Sequence, residues 1–242
     1  MHKIIRGLVA IALAGLAWNA NAIVVTYGFT ATLQKLTLVS SGGGNQTDVD
    51  SSTLPGALVS TGEKIVGRVY YDTGAILSGT QPSQPSSGTQ QSYGSDSANT
   101  NIEFFFVNTG LLFGDSGSPP NSSIIQVGDD NSDVAGADTL FIGAISSKLN
   151  QVTFSMLSLR NLTGLAVQGG GIPPALEAFD LSSAALAGIW INQSSNEALA
   201  YWATLDSLWR LESADVPEPG SLAMLMLGLA ALGVARLRHR TV

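Results

Sequence analysis

The sequence predicts an all-β body, a β-sandwich or jelly-roll-like fold. An N-terminal signal helix and a C-terminal transmembrane helix complete the precursor. Three observations predict this. Short runs of alternating apolar and polar residues recur between Val25 and Leu211, clusters of Gly, Ser, Asn, Asp and Pro separate them, and uncharged apolar runs stand at both ends of the chain. The expected organisation is residues 1–22 as signal peptide, 23–213 as an all-β exported domain, and 214–242 as a tail with its own apolar span.

The N-terminal segment starts basic, with His2, Lys3 and Arg6, and continues through an apolar core from Leu8 to Trp18. Ala20-Asn21-Ala22 then supplies the small-x-small pattern that a signal peptidase accepts, which places the cut between Ala22 and Ile23.

Strands account for the body. Val25, Tyr27 and Phe29 alternate with Thr26, Gly28 and Thr30, and the pattern continues toward Leu36 and Leu38. A period of two places one side chain set on the core. Residues 40–52 are polar and Gly-rich and read as loop. Lys64 to Tyr71 is the next strand, with Ile65, Gly67, Val69 and Tyr71 on one face, and Asp72-Thr73-Gly74 turns the chain. Ser78 to Thr100 is almost wholly Ser, Gly, Thr, Gln, Pro and Asn, too poor in apolar surface to offset its ordering entropy, and is expected to be loop. Strands follow at Ile102–Val107, Leu111–Phe113, Ile124–Val127, Thr139–Ile145 and Gln151–Arg160, with an acidic loop expected at Gly128–Asp138. Gly169-Gly170-Gly171 and Pro173-Pro174 interrupt the chain, and Leu176 to Leu181 is expected to hold a helical turn. Leu186–Asn192 and Glu197–Leu211 form a hairpin about Gln193-Ser194-Ser195. The last segment also fits a helical face through Leu199, Trp202, Leu205 and Trp209, but its odd-numbered apolar set and its aromatic content favour strand.

Composition narrows the chemistry. Between residues 23 and 216 six basic residues face 17 acidic ones, a net charge of −11. Such a body repels nucleic acid and anionic lipid, so no nucleic-acid partner is expected. The chain has no cysteine, and its two histidines, His2 and His239, fall in the terminal segments. A Ser-His-Asp or Cys-His site, a His/Cys zinc site and disulfide stabilisation are therefore excluded from the body. Paired carboxylates need no histidine, but the spacing of Glu63, Glu103, Glu177, Glu197 and Glu212 singles out no pair. No catalytic residue is assigned, and the body is expected not to be an enzyme.

Two binding sets remain. Asp129, Asn131 and Asp133 present oxygens at alternate positions, a set suited to calcium. Val134 and Leu140 stand where an EF-hand needs Gly and Glu, and Asp and Asn also build turns unaided. Trp190, Trp202 and Trp209 crowd the end of the body. Exposed indoles stack on sugar rings, whereas buried ones build a core.

The tail reads Pro217-Glu218-Pro219, then an uncharged run from Leu222 to Ala235, then Arg236, Arg238 and Arg240. The run is about 21 Å long as a helix, short for a stable span, and flanking arginines favour the cytoplasmic side. This order resembles the PEP-CTERM sorting signal of Gram-negative envelope proteins. The resemblance implies an exosortase as processing enzyme beside the signal peptidase, a transient inner-membrane tether with the body outside, and delivery to the envelope or extracellular matrix. A looser resemblance to exported proteins of that type runs through Val66-Gly67-Arg68-Val69-Tyr70-Tyr71-Asp72-Thr73, Gln126 to Asp130, Asp138-Thr139-Leu140, Leu157 to Leu162, Ile172-Pro173-Pro174 and Phe179-Asp180-Leu181. It implies no catalytic residues. Extracellular polysaccharide is the further partner expected, either as surroundings or as ligand.

Overall fold

A computed structural model describes residues 24–40, 45–82, 89–94, 99–113, 121–131, 137–148, 151–163, 166–167, 171–173 and 175–211. Twelve strands occupy them: β1 (Val24–Val39), β2 (Gln46–Val49), β3 (Lys64–Asp72), β4 (Ile76–Pro82), β5 (Thr89–Gly94), β6 (Asn101–Phe106), β7 (Leu112–Phe113), β8 (Ser122–Asn131), β9 (Ala137–Lys148), β10 (Gln151–Asn161), β11 (Asp180–Asn192) and β12 (Glu197–Arg210). The body is all-β, and the described residues contain no helix. Both expected terminal helices lie outside the described residues.

Hydrogen bonding joins the strands in the order β4-β5-β8-β9-β10-β11-β12-β1-β3-β6-β7, every pair antiparallel. The sixteen-residue β1 is the pivot. One side of it pairs with β12 from Tyr27 to Val39, and the other pairs first with β3 and then with β2. The sandwich arises by curling of this single sheet. Tyr201 of β12 meets Phe104 of β6 and Phe113 of β7 edge-on at ring-centroid distances of 5.9 and 5.4 Å, although β1 and β3 separate these strands in the ladder. Strand β6 likewise packs against β9 and β10 across the core.

The core fills the concave side. Phe104 and Phe113 stack at 5.0 Å, and Phe106 meets both edge-on. Such aromatic pairs add about 0.5–1.5 kcal/mol each beyond their buried area. The Tyr201 ring reaches across Gly188 to place its hydroxyl 2.8 Å from Ser155 Oγ. Gly188 opposes both residues, and a Cβ there would lie 2.2 Å from the Tyr201 hydroxyl and 2.2 Å from the Phe154 carbonyl oxygen. Only glycine leaves the ring that path. Burial raises the Tyr201 phenol pKa well above its usual value, against the opposing bond from Ser155.

The chain between β10 and β11 is pinned to β1 and β3 by two buried tyrosines. Tyr27 donates to Glu177 Oε2 at 2.8 Å and accepts from the Leu176 amide at 3.0 Å, and Tyr71 donates to the Pro173 carbonyl at 3.0 Å. The Asp138 carboxylate accepts the Val167 amide at 2.7 Å. The helical turn expected at Leu176–Leu181 is instead a β-turn closed by Phe179 N to Leu176 O, after which β11 begins at Asp180.

Four expectations need correction. Residues 40–52 contain β2, held by its ladder to β1 and by Thr37 donating to Asp48 at 2.7 Å. The polar stretch 78–100 contains most of β4, which begins at Ile76, and all of β5, the pair docking on β8 through β5. Backbone ladders and amide side chains stabilise it, with Gln90 and Gln126 3.4 Å apart and Tyr93 donating to Gln91 at 2.6 Å; Tyr93 is its buried apolar side chain. The acidic loop 128–138 is shorter than expected, because β8 runs through Asn131 and β9 starts at Ala137. Finally, β11 starts six residues before Leu186.

Candidate functional site

The outer, convex face of β1 and β12 gathers the exposed aromatic and polar groups best placed to meet a ligand. Two register shifts create it. On β12, Leu199, Tyr201, Ala203 and Leu205 point into the core. The ladder then slips, Ala31 pairing with Leu205 but Thr30 with Ser207, so that Asp206 is an extra residue. A bulge of this kind resets which side chains face in. Leu208 thereafter packs on the core, and Trp209 joins Trp202 on the outside. On β1 the slip between Leu33 and Lys35 does the same, turning Leu36 inward and Lys35 outward.

Trp202 is 43% exposed and Trp209 42%. They stand about 20 Å apart along β12 by strand rise. Gly28 of β1 lies opposite Trp209, and a Cβ on Gly28 would come within 2.4 Å of Trp209 Cε2. The indole therefore lies flat on the sheet, one face on the Gly28 backbone and the other turned outward.

Between the two indoles the face is hydrophilic. Thr32 Oγ1 donates to the Asp206 carboxylate at 2.8 Å, and Lys64 Nζ reaches Asp206 Oδ2 at 3.0 Å and Thr32 Oγ1 at 2.6 Å. Gln34 donates to Thr204 Oγ1 at 3.1 Å, and the Thr30 and Ser207 hydroxyls lie 2.6 Å apart. Beside Trp202, Lys35 pairs with Asp48 at 2.9 Å. Burial pushes the Asp206 carboxyl up, but the bonds from Lys64 and Thr32 outweigh it and leave its pKa below the usual value. The bonds from Lys35 and Thr37 lower that of Asp48.

Trp190 is 2% exposed and opposes Leu199 on the inner face, so it is withdrawn from the sugar-stacking set and belongs to the core. Trp202 and Trp209 share one face. In the calcium set, Asp129 and Asn131 are strand residues of β8, where the register slips between Gly128 and Asn131, and Asp133 lies outside the described residues. Among the described residues no group of three or more His, Cys, Asp or Glu is arranged around a metal position. Ala20, Ala22, Pro217, Glu218 and Pro219 also lie outside the described residues.

Four of the candidate carboxylates have structural surroundings. Glu63 is buried and accepts from the amides of Asn108 (3.1 Å) and Thr109 (2.9 Å) and from the Thr109 hydroxyl (3.1 Å), tying two loops together. Glu103 pairs with Arg68 at 2.6 Å, and this bond raises the Arg68 pKa. Glu177 serves Tyr27, and Glu197 opposes Asn192 beside the turn of the β11–β12 hairpin. Sequence reasoning missed Thr32, Lys64 and Asp206. The signal for them was present in the slip from odd-numbered Leu205 to even-numbered Leu208, which marks a bulge between.

Residues 215–240 match the family model described as the PEP-CTERM protein-sorting motif. No curated protein and no solved structure matches the chain. The resemblance read from the tail therefore stands over those residues, and the chain carries a PEP-CTERM sorting motif.

Proposed function

From the premise that a PEP-CTERM motif commits this chain to export and to exosortase-directed sorting at the envelope, we propose that the body is a non-enzymatic envelope or extracellular-matrix protein. Signal peptidase removes residues 1–22, the apolar run Leu222–Ala235 tethers the body in the inner membrane, and exosortase cuts at or near Pro217-Glu218-Pro219 to release it. The observation that carries the reading is the motif match at 215–240, a few residues beyond Arg210, where the last strand of the described residues ends. The apolar run begins at Leu222, only three positions after Pro219, which keeps the motif close to the membrane in which the enzyme sits. The arginines beyond the span favour a cytoplasmic end, which leaves motif and body outside. Replacing Pro217, Glu218 and Pro219 with Ala tests it: the variant stays uncut in the inner membrane with its span attached. Wild-type protein found only in the inner membrane at precursor length would defeat the proposal.

A second reading makes the body a carbohydrate-binding module of the exopolysaccharide matrix. The presence of Trp202 and Trp209 on one outer face supports it.

A further inference from the structure

We propose that the outer face of β1 and β12 binds a neutral, extended β-1,4-linked polysaccharide chain running along β12, with Trp202 and Trp209 as two stacking platforms and the hydroxyl, amide and carboxylate groups between them as hydrogen-bonding partners. The inference rests on the second reading above and gives it a site and a ligand class.

The Asp206 bulge brings both indoles to one face of one strand, and Gly28 lets the Trp209 ring lie flat with an outward face. A flat ring with one face held by the protein and the other free is the surface that stacks on a pyranose ring through apolar C–H groups. Their separation of about 20 Å demands a ligand of several sugars in an extended conformation. A compact ligand, or a single sugar, reaches one platform only.

The groups between the indoles define the ligand further. Thr32, Gln34, Thr204, Asp206 and Ser207 offer donors and acceptors in a line, which matches a polyhydroxyl chain. Charge selects a neutral one. Lys35 is paired with Asp48 and Lys64 with Asp206, so the face presents balanced charge on a strongly acidic body. An anionic polymer meets repulsion there. A protein partner fits less well, because protein interfaces place their apolar groups at the centre and polar groups at the rim. Here the aromatics stand at the ends and the polar groups between.

Native gel electrophoresis of the protein purified from its host, run through hydroxyethylcellulose and through alginate, tests the proposal. The neutral polymer is expected to retard the protein and the anionic one to leave its mobility unchanged. Trp202→Ala and Trp209→Ala each weaken binding about tenfold, Trp202→Phe and Trp209→Phe retain most of it, and cellohexaose competes far better than cellobiose. Because Trp209 covers Gly28, a melting curve accompanies each variant, and the Phe variants keep the test meaningful if Trp209→Ala fails to fold. Retardation that survives both Trp→Ala changes overturns this site while leaving the carbohydrate reading intact. Absence of retardation by hydroxyethylcellulose overturns the proposal and removes the support for that reading. Preference for alginate, or self-association through this face without glycan, also overturns the proposal.

Discussion

Ser155→Ala removes the hydroxyl that meets the buried Tyr201 phenol at 2.8 Å while leaving the ring and its aromatic neighbours in place. Stranding a buried polar group costs about 1–3 kcal/mol. A loss near 2 kcal/mol lowers the melting temperature by about 4–8 °C for a domain of this size. Tyr201→Phe leaves the Ser155 hydroxyl behind, but a serine can turn to nearby backbone acceptors, so its cost is nearer 1 kcal/mol. The double variant strands neither group and is more stable than Ser155→Ala alone. Near-ultraviolet circular dichroism during urea and thermal unfolding reads all three, and the coupling energy follows from the cycle. Ser155→Ala melting with the wild type, or a double variant as unstable as the two singles summed, would refute the account of the core at Gly188.

Three further outcomes follow from the same structure. Glu63→Ala leaves the Asn108 and Thr109 amides without their carboxylate and lowers stability by about 2–3 kcal/mol, read from urea unfolding. All five tyrosines have pKa values raised chiefly by burial, so the folded protein holds those protons longer than the unfolded chain. Their contribution to stability is therefore complete below the unfolded pKa of 10.0 and is lost as pH rises through the folded values; for Tyr71 and Tyr201, the most deeply buried, phenolate absorbance should rise together with unfolding rather than before it. At the acid end, the lowered pKa of Asp206 means that its pairing contributes above the unfolded carboxylate value and is lost as pH falls through the folded one. Asp206→Asn flattens the acid limb slightly, an effect checked by thermal melts across that range and kept small by solvent screening.

Legibility of the fold tracked the source of its stability. Strands β1, β3, β10 and β12 carry apolar alternation and β6 a dense apolar run, and their existence and type could be read from these patterns. Phase could not be carried through β1 and β12, because the bulges at Gln34 and Asp206 leave no mark in composition, only a change of parity from Leu33 to Leu36 and from Leu205 to Leu208. Strand β2 and the β4–β5 hairpin were illegible for another reason. Their order comes from backbone pairing, β2 to the preceding β1 and β5 to the distant β8, and side-chain hydrophobicity is silent about such pairing. At the candidate site the tryptophans were visible as a group, but burial separated Trp190 from the pair that faces outward. The tail was the most legible part, since motif, apolar run and basic end are local patterns that need no tertiary context.

Intact-mass measurement of the protein recovered from the envelope and from outside the cell tests the sorting account most directly. The account predicts a species that begins at Ile23 and ends at or near Pro217-Glu218-Pro219, without the Leu222–Ala235 run and the terminal arginines. A species outside the inner membrane that still extends to Val242 would contradict it.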